Sequence, residues 1–259
     1  MQNTVGGMTI LQFIRERHMI FLRRANGEPK PWTTDEVLQK YFFTNIFREL
    51  DRTSVVMRDV LSGKMDRPNF LALVVIHRMV SNADFNKEIG FAGSYEVVVA
   101  TYNNRRGRGD SVRTGAFTSC QSDAALFASW KYFFENGDAI LSKIISGDQT
   151  VQGAFKALNG AKGLGKFLAW QVALDLQMYG AVRPSPDFVV LGPGAELGLK
   201  LAGHTDFWAL LKEINYSLPS EVPSLEAKDL EHALCEYGKY VKLCSGGGKK
   251  RLYKSKEVL

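Results

Sequence analysis

Cysteine is scarce: Cys120, Cys235 and Cys244 are the only three in 259 residues. An odd count at unrelated spacings makes no disulfide framework and fits a reducing compartment. No apolar run approaches the roughly 18 residues a membrane span needs. The start from Met1 to Met8 is polar and glycine-containing, unlike a secretory signal. No repeat occurs at solenoid periods. His232 and Cys235 form an HxxC pair, but a zinc site needs more ligands than that. The expectation is a cytoplasmic protein with no membrane partner and no bound structural metal.

What is present is ordinary bulk with a basic tilt. Hydrophobic residues make up 45% of the chain, enough for one substantial core or two coupled lobes. The net charge of +6 favours polyanionic partners without naming one. The patterning is mostly helical. Apolar positions Ile10, Phe13, Ile14 and Phe21 follow Thr9, a cap. Gly27 to Pro31 breaks that helix. Thr33 or Thr34 then caps another, with Asp35 and Glu36 in its first turn, where the helix dipole favours acids. Further helices are expected over Phe70 to Val80, Ser122 to Ile145, Thr205 to Tyr216 and Leu225 to Leu243. Ala116 to Cys120 reads as a short strand. Pro219 and Pro223 mark a turn. Residues 1–245 read as one folded domain, with room for two lobes, and 246–259 as a mobile basic tail.

The run LNGAKGLGKFLAWQVALDL from Leu158 carries a tight turn between helices. Gly163 and Gly165 let backbone approach a phosphate, and amides at a helix N-terminus can bind its oxygens. Lys162 and Lys166 add charge. Such contacts position a protein on DNA without reading sequence. A plain helix-to-helix turn is the other reading. Asp187 lies 22 residues past Gly165 in PSPDFVVLGPGA. The turn and this aspartate together resemble the helix-hairpin-helix DNA glycosylases, whose catalytic aspartate follows the hairpin at about this distance. The resemblance implies that Asp187 faces an extruded nucleotide. An N-cap of the next helix is its alternative or additional role. Phe167 stands where lyase members carry lysine, and their four-cysteine iron–sulfur loop is absent.

The segment from Arg15 to Arg52 is the second dense region. Asn45, Arg48, Asp51 and Arg52 recur at helical spacing, beside Phe42, Phe43, Ile46, Phe47 and Leu50. Two readings are open. One is an Arg–Asp network in which Asp51 neutralises Arg48 or Arg52. The other is an anion pocket, since guanidinium groups bind phosphate or carboxylate bidentately. The run IFLRR-x-NG-x-PxPWTxD, then FTNIFRELDRTS, is similar to the alpha-glutamyl/putrescinyl thymine pyrophosphorylases, largely phage-encoded amino acid:DNA transferases. TGAF from Thr114 and LGPGA from Leu191 support the likeness.

That resemblance implies a mostly α, glycosylase-like helical fold with at most a short β element. It also implies a reaction on DNA carrying modified thymine. A diphosphate on the 5-hydroxymethyl group of uracil is displaced by the amine of a free amino acid or polyamine, releasing pyrophosphate. The target base must leave the stack to react. Arg23, Arg24, Arg48 and Arg52 would meet the diphosphate or an amino-acid carboxylate. Asn45 and Asp51 would orient these groups, and Asp187 would act near the flipped base as general base or electrostatic stabiliser. Lys162, Gly163, Gly165 and Lys166 would hold DNA. No cofactor is required, though magnesium is compatible with a diphosphate. A base-excising N-glycosylase and a non-enzymatic sensor of modified DNA are the rival functions. Arg105, Arg106 and Arg108 would contact DNA, bind an acidic nucleophile or lie in a solvated loop.

Overall fold

The computed structural model describes residues 7–114, 122–248 and 252. The expected strand from Ala116 and the basic tail from Lys249 lie outside these residues, apart from Leu252. Among the described residues the regular structure is helical, with two isolated β-bridges and no named strand. Among the described residues no helix is long and apolar enough to cross a membrane. The helices are α1 (Ile10–Ala25), α2 (Glu36–Lys40), α3 (Arg52–Leu61), α4 (Phe70–Val80), α5 (Ala83–Ile89) and α6 (Tyr95–Gly107). They continue with α7 (Asp123–Ser146), α8 (Val151–Leu158), α9 (Lys166–Met178), α10 (Pro193–Leu201), α11 (Phe207–Ser217) and α12 (Ala227–Cys244). The chain divides into two compact units, one of residues 1–51 with 189–259 and one of residues 52–188.

In the first unit α1 starts with a capping box. Thr9 accepts the Gln12 amide, and the Gln12 side chain accepts the Thr9 amide. Its apolar face buries Ile10, Phe13, Ile14 and Ile20. Phe13 meets Phe43, Tyr237 and Tyr240, with ring centroids 5.3 to 5.9 Å apart. The LGPGA run opens α10, and its Gly194 together with Gly198 one turn on lets α10 lie directly on α12. A Cβ on Gly194 would come within 2.5 Å of Cys235 Sγ. One on Gly198 would lie 2.0 Å from the Leu234 carbonyl oxygen. This motif is therefore a packing device.

The second unit is built around α4, all eleven of whose residues are buried. Each large aliphatic or aromatic side chain removed from water there contributes roughly 1.5–3 kcal/mol before chain entropy is counted. Phe85, Tyr102, Phe127 and Trp130 form an aromatic cluster beside it. A buried ion pair lies in this interior: Arg78 of α4 grips Asp175 of α9 bidentately at 2.6 and 2.7 Å, both side chains nearly fully buried. It fixes the position of α9, the helix that follows the glycine turn.

Candidate functional site

In the second unit α8 and α9 form a helical hairpin. Leu164 is buried and anchors the turn, and Ser129 Oγ of α7 donates to the Lys162 carbonyl at 2.8 Å. The two glycines have different reasons to be there. Gly163 has φ +83°, and a Cβ on it would lie 2.1 Å from Ser129 Oγ, so packing and backbone conformation both demand glycine. Gly165 is exposed, caps α9 without a side chain and faces no atom within 4 Å. Close approach to a ligand is therefore available at Gly165, whereas Gly163 faces α7. Lys162 and Lys166 are exposed on either side.

Asp187 is exposed in a turn closed by the Phe188 amide donating to Ser185 O at 3.1 Å. The next helix, α10, begins only at Pro193 with Gly192 as its cap. The expected N-cap role is thus overturned: Pro184 and Pro186 restrict the backbone before the aspartate, and proline suits the first turn of a helix at Pro193 instead. The loop is fastened to the hairpin. The Gln152 amide donates to Ser185 Oγ and the Val151 amide to Arg183 O. Phe188 packs against Phe155 of α8 and Trp170 of α9, at 5.5 and 5.6 Å between centroids. An exposed carboxylate and the exposed hairpin turn thus ride on one scaffold.

The arginine-rich stretch of this unit is ion-paired with nearby carboxylates. Glu88 pairs with Arg105 and Arg108, Asp110 with Arg108, and Asp123 with Arg106 and Arg113.

The first unit holds a second polar constellation. The helix expected through Asn45 to Arg52 does not form. Residues 41–51 run irregularly, with a single 3-10 turn at Arg48–Leu50. Side chains replace the helical hydrogen bonds. The Asn45 amide donates to the Asp51 carboxylate at 2.9 Å, and Asn45 Nδ2 donates to the Leu50 carbonyl at 2.9 Å. Arg17 of α1 donates to Asn45 Oδ1 and to the Phe43 carbonyl, both at 3.0 Å. Burial pushes the Asp51 carboxyl up to about 6, against the lowering pull of the Asn45 amide, Arg17 and Arg48. On α12, His232 Nε2 lies 2.9 Å from Thr44 Oγ1, and Glu236 accepts the Thr44 amide at 3.1 Å. Lys239 donates to Glu236 and to the Phe42 carbonyl and sits over the Phe43 ring.

The four arginines expected at the diphosphate or carboxylate have different surroundings. Arg23 donates to Glu16 and to the Trp32 carbonyl, and Arg24 is half-buried in the last turn of α1. Arg48 is buried near Asp51. Arg52 starts α3 in the second unit and pairs with Asp84 at 2.6 Å.

The sequence does not single out Arg17, Thr44, Glu236 or Lys239 as site residues, and it offers His232 only as a metal ligand. Arg17 had a signal: it interrupts the apolar stripe of Phe13, Ile14 and Ile20 on α1. Among the described residues no group of three or more His, Cys, Asp or Glu is placed to hold a metal ion.

Gly160 to Lys166 also spells GxxxxGK, the spacing of a nucleotide-binding P-loop. In that loop a strand precedes the glycine and Ser or Thr follows the lysine. Here α8 precedes and Phe167 follows, so the run is a helix-to-helix turn.

Residues 6–250 match the family described as "5-hmdU DNA kinase, helical domain". A protein of Bacillus phage SP10 named 5-hmdU DNA kinase is 23% identical over 285 aligned positions, covering 92% of this chain. The chain spans about half, 45%, of that relative's length. No solved structure matches the chain.

Proposed function

The chain belongs to the 5-hmdU DNA kinase helical-domain family, and from that membership we propose that it modifies 5-hydroxymethyluracil-derived bases in DNA. Its reaction is transfer of an amine to the diphosphorylated 5-methylene. The observation that carries this reading is the shared scaffold of the hairpin turn and Asp187. Backbone phosphate would lie against the Gly165 amide side of the turn, with Lys162 and Lys166 supplying charge. The exposed Asp187 carboxylate, held beside the hairpin helices, would then act at an unstacked base.

The bond from the 5-methylene to the diphosphate oxygen breaks, and pyrophosphate leaves with the electron pair. The amine nitrogen forms a new bond to that carbon. The proton it sheds passes to a carboxylate, the role assigned to Asp187. Hydrogen-bond donors and cations favour a departing polyanion.

A second reading is a substrate-holding domain that presents the base to a phosphorylating domain. It is favoured by the name of the SP10 relative. The GxxxxGK turn lacks both the strand and the hydroxyl that P-loop chemistry needs, which counts against phosphoryl transfer at that turn.

Mass spectrometry of nucleosides separates the two. The protein is incubated with DNA bearing diphosphorylated 5-hydroxymethyluracil and pooled amino acids and polyamines, and in parallel with 5-hydroxymethyluracil DNA and ATP. An aminomethyl-linked nucleoside in the first reaction supports the transferase. A phosphorylated nucleoside in the second, with no adduct in the first, overturns it.

A further inference from the structure

Three donors converge on one carboxylate in the second unit. Tyr102 Oη and Arg113 Nη2 both donate to Asp123 Oδ1 at 2.8 Å, and Arg106 Nη1 donates to Asp123 Oδ2. With Asp110 and Ser111 these residues line an open groove of about 430 Å³. The Arg106 side chain is 58% exposed. Its contact with Asp123 uses Nη1 alone. A guanidinium has five N–H donors, and among the described residues Nε and Nη2 of Arg106 make no hydrogen bond.

The groove lies at the hairpin end of the unit. Asn82 Nδ2 donates to the Ser111 carbonyl at 2.9 Å. The Thr114 amide donates to the Val80 carbonyl at 3.2 Å, and the Thr114 hydroxyl to the Ser81 carbonyl at 3.0 Å. These bonds fasten the groove segment to the C-terminal end of α4. Met79, in the last turn of α4, meets the hairpin. Ser129 Oγ lies 3.8 Å from its Sδ and donates to the Lys162 carbonyl. A Cβ on Gly163 would lie 3.1 Å from Met79 Cε. The groove segment and the glycine turn thus adjoin the same end of one helix.

Charge decides what Arg106 can do there. The lining has two arginines, Arg106 and Arg113, and two carboxylates, Asp110 and Asp123, so its formal charges cancel. Such a groove attracts a phosphate little. Directed donors remain, and contacts to base edges specify sequence where phosphate contacts only position the protein. The Nε and Nη2 edge presents two parallel N–H groups. They fit the adjacent O6 and N7 acceptors of guanine, whereas adenine puts a donor beside its N7. The Asp123 contact fixes the plane of the guanidinium.

We propose that Arg106 reads the edge of a guanine neighbouring the base to be modified, which gives the protein a preference for local sequence. The inference rests on the DNA-modifying reading for its ligand.

Binding of the full chain is measured by fluorescence anisotropy on duplexes with one diphosphorylated 5-hydroxymethyluracil. The neighbouring base is guanine, 7-deazaguanine, which lacks the N7 acceptor, or adenine. The guanine duplex should bind about tenfold more tightly than the adenine duplex, with 7-deazaguanine between them. Arg106→Gln should erase these differences and change the salt slope by less than about one. Arg106 is exposed, so the variant should fold, and the 7-deazaguanine comparison needs no variant. Three results would each overturn the inference: equal affinities in wild type, a preference that persists in Arg106→Gln, or a uniform loss in that variant with the slope lowered by about one, the mark of a phosphate contact. A wild type that binds no DNA would remove the DNA-modifying reading as well, whereas DNA binding indifferent to the neighbour removes this inference alone.

Discussion

The two units bury charge in opposite ways. The second encloses a complete pair, Arg78 with Asp175, and a histidine, His77, whose two ring nitrogens have no hydrogen-bond partner. Burial pushes that imidazole down to about 3, so it is neutral. The first unit instead encloses carboxylates that hold their protons unusually well. Asp51 is pushed up to about 6 and Asp229 to about 7, in both cases chiefly by burial. The second interior is thus fixed in charge near neutrality and suits a scaffold. The first changes charge in the range where proton transfer is useful.

Breaking the fixed pair should have the largest effect. Arg78→Met leaves Asp175 buried without its cation and should cost about 3–5 kcal/mol in urea unfolding. Adding Asp175→Leu should recover most of that, because two apolar side chains tolerate the site better than one stranded charge. A single variant as stable as wild type would mean that the pair does not hold α9.

The contrast in pH response is next. A carboxyl raised on folding contributes stability that is complete below about pH 4 and is lost as pH rises through its folded value. Asp51 and Asp229 therefore weaken the first unit between pH 5 and 8, together by about 4 kcal/mol. A histidine lowered on folding works the other way: the stability tied to His77 is present above about pH 6.5 and is lost as pH falls toward 3. Hydrogen exchange corrected for intrinsic rates should show α12 gaining protection from pH 8 to 5 while α4 does not. Asp229→Asn should flatten the α12 profile. Parallel profiles for α4 and α12 would erase the distinction.

How much of this was legible in the sequence follows from the range of the interactions. The Thr9 cap, the buried run from Phe70 to Val80 and the helix after Ser122 are local patterns, and they form close to where the periodicity places them. Residues 41–51 defeat the same logic. Asn45 and Asp51 recur at near-helical spacing, yet their side chains bond the backbone and stabilise a non-helical turn. The Arg78–Asp175 pair spans 97 residues, and no short-range pattern announces it. Asp187 was visible as a residue. Its attachment to the hairpin depends on Phe188 meeting Phe155 and Trp170, which only the tertiary structure brings together.

The smallest of these effects concerns the surface of the second unit, where the hairpin lysines are exposed while the Arg105 to Arg113 loop is ion-paired internally. Lys162→Gln with Lys166→Gln should lower the slope of log affinity for DNA against log salt by about two, one per lost phosphate contact. Arg106→Gln should change it less. The reverse order would place the DNA on the other loop.

Under the proposed function the hairpin unit holds the DNA and Asp187 acts on its modified base. The most direct measurement is pyrophosphate release from diphosphorylated 5-hydroxymethyluracil DNA, with and without an added amine, by wild type and by Asp187→Asn. Release should require both DNA and amine and leave no alkali-labile sites. The variant should lose about 10²-fold or more, with DNA affinity unchanged. Abasic sites formed without amine, or full activity in Asp187→Asn, would contradict that function.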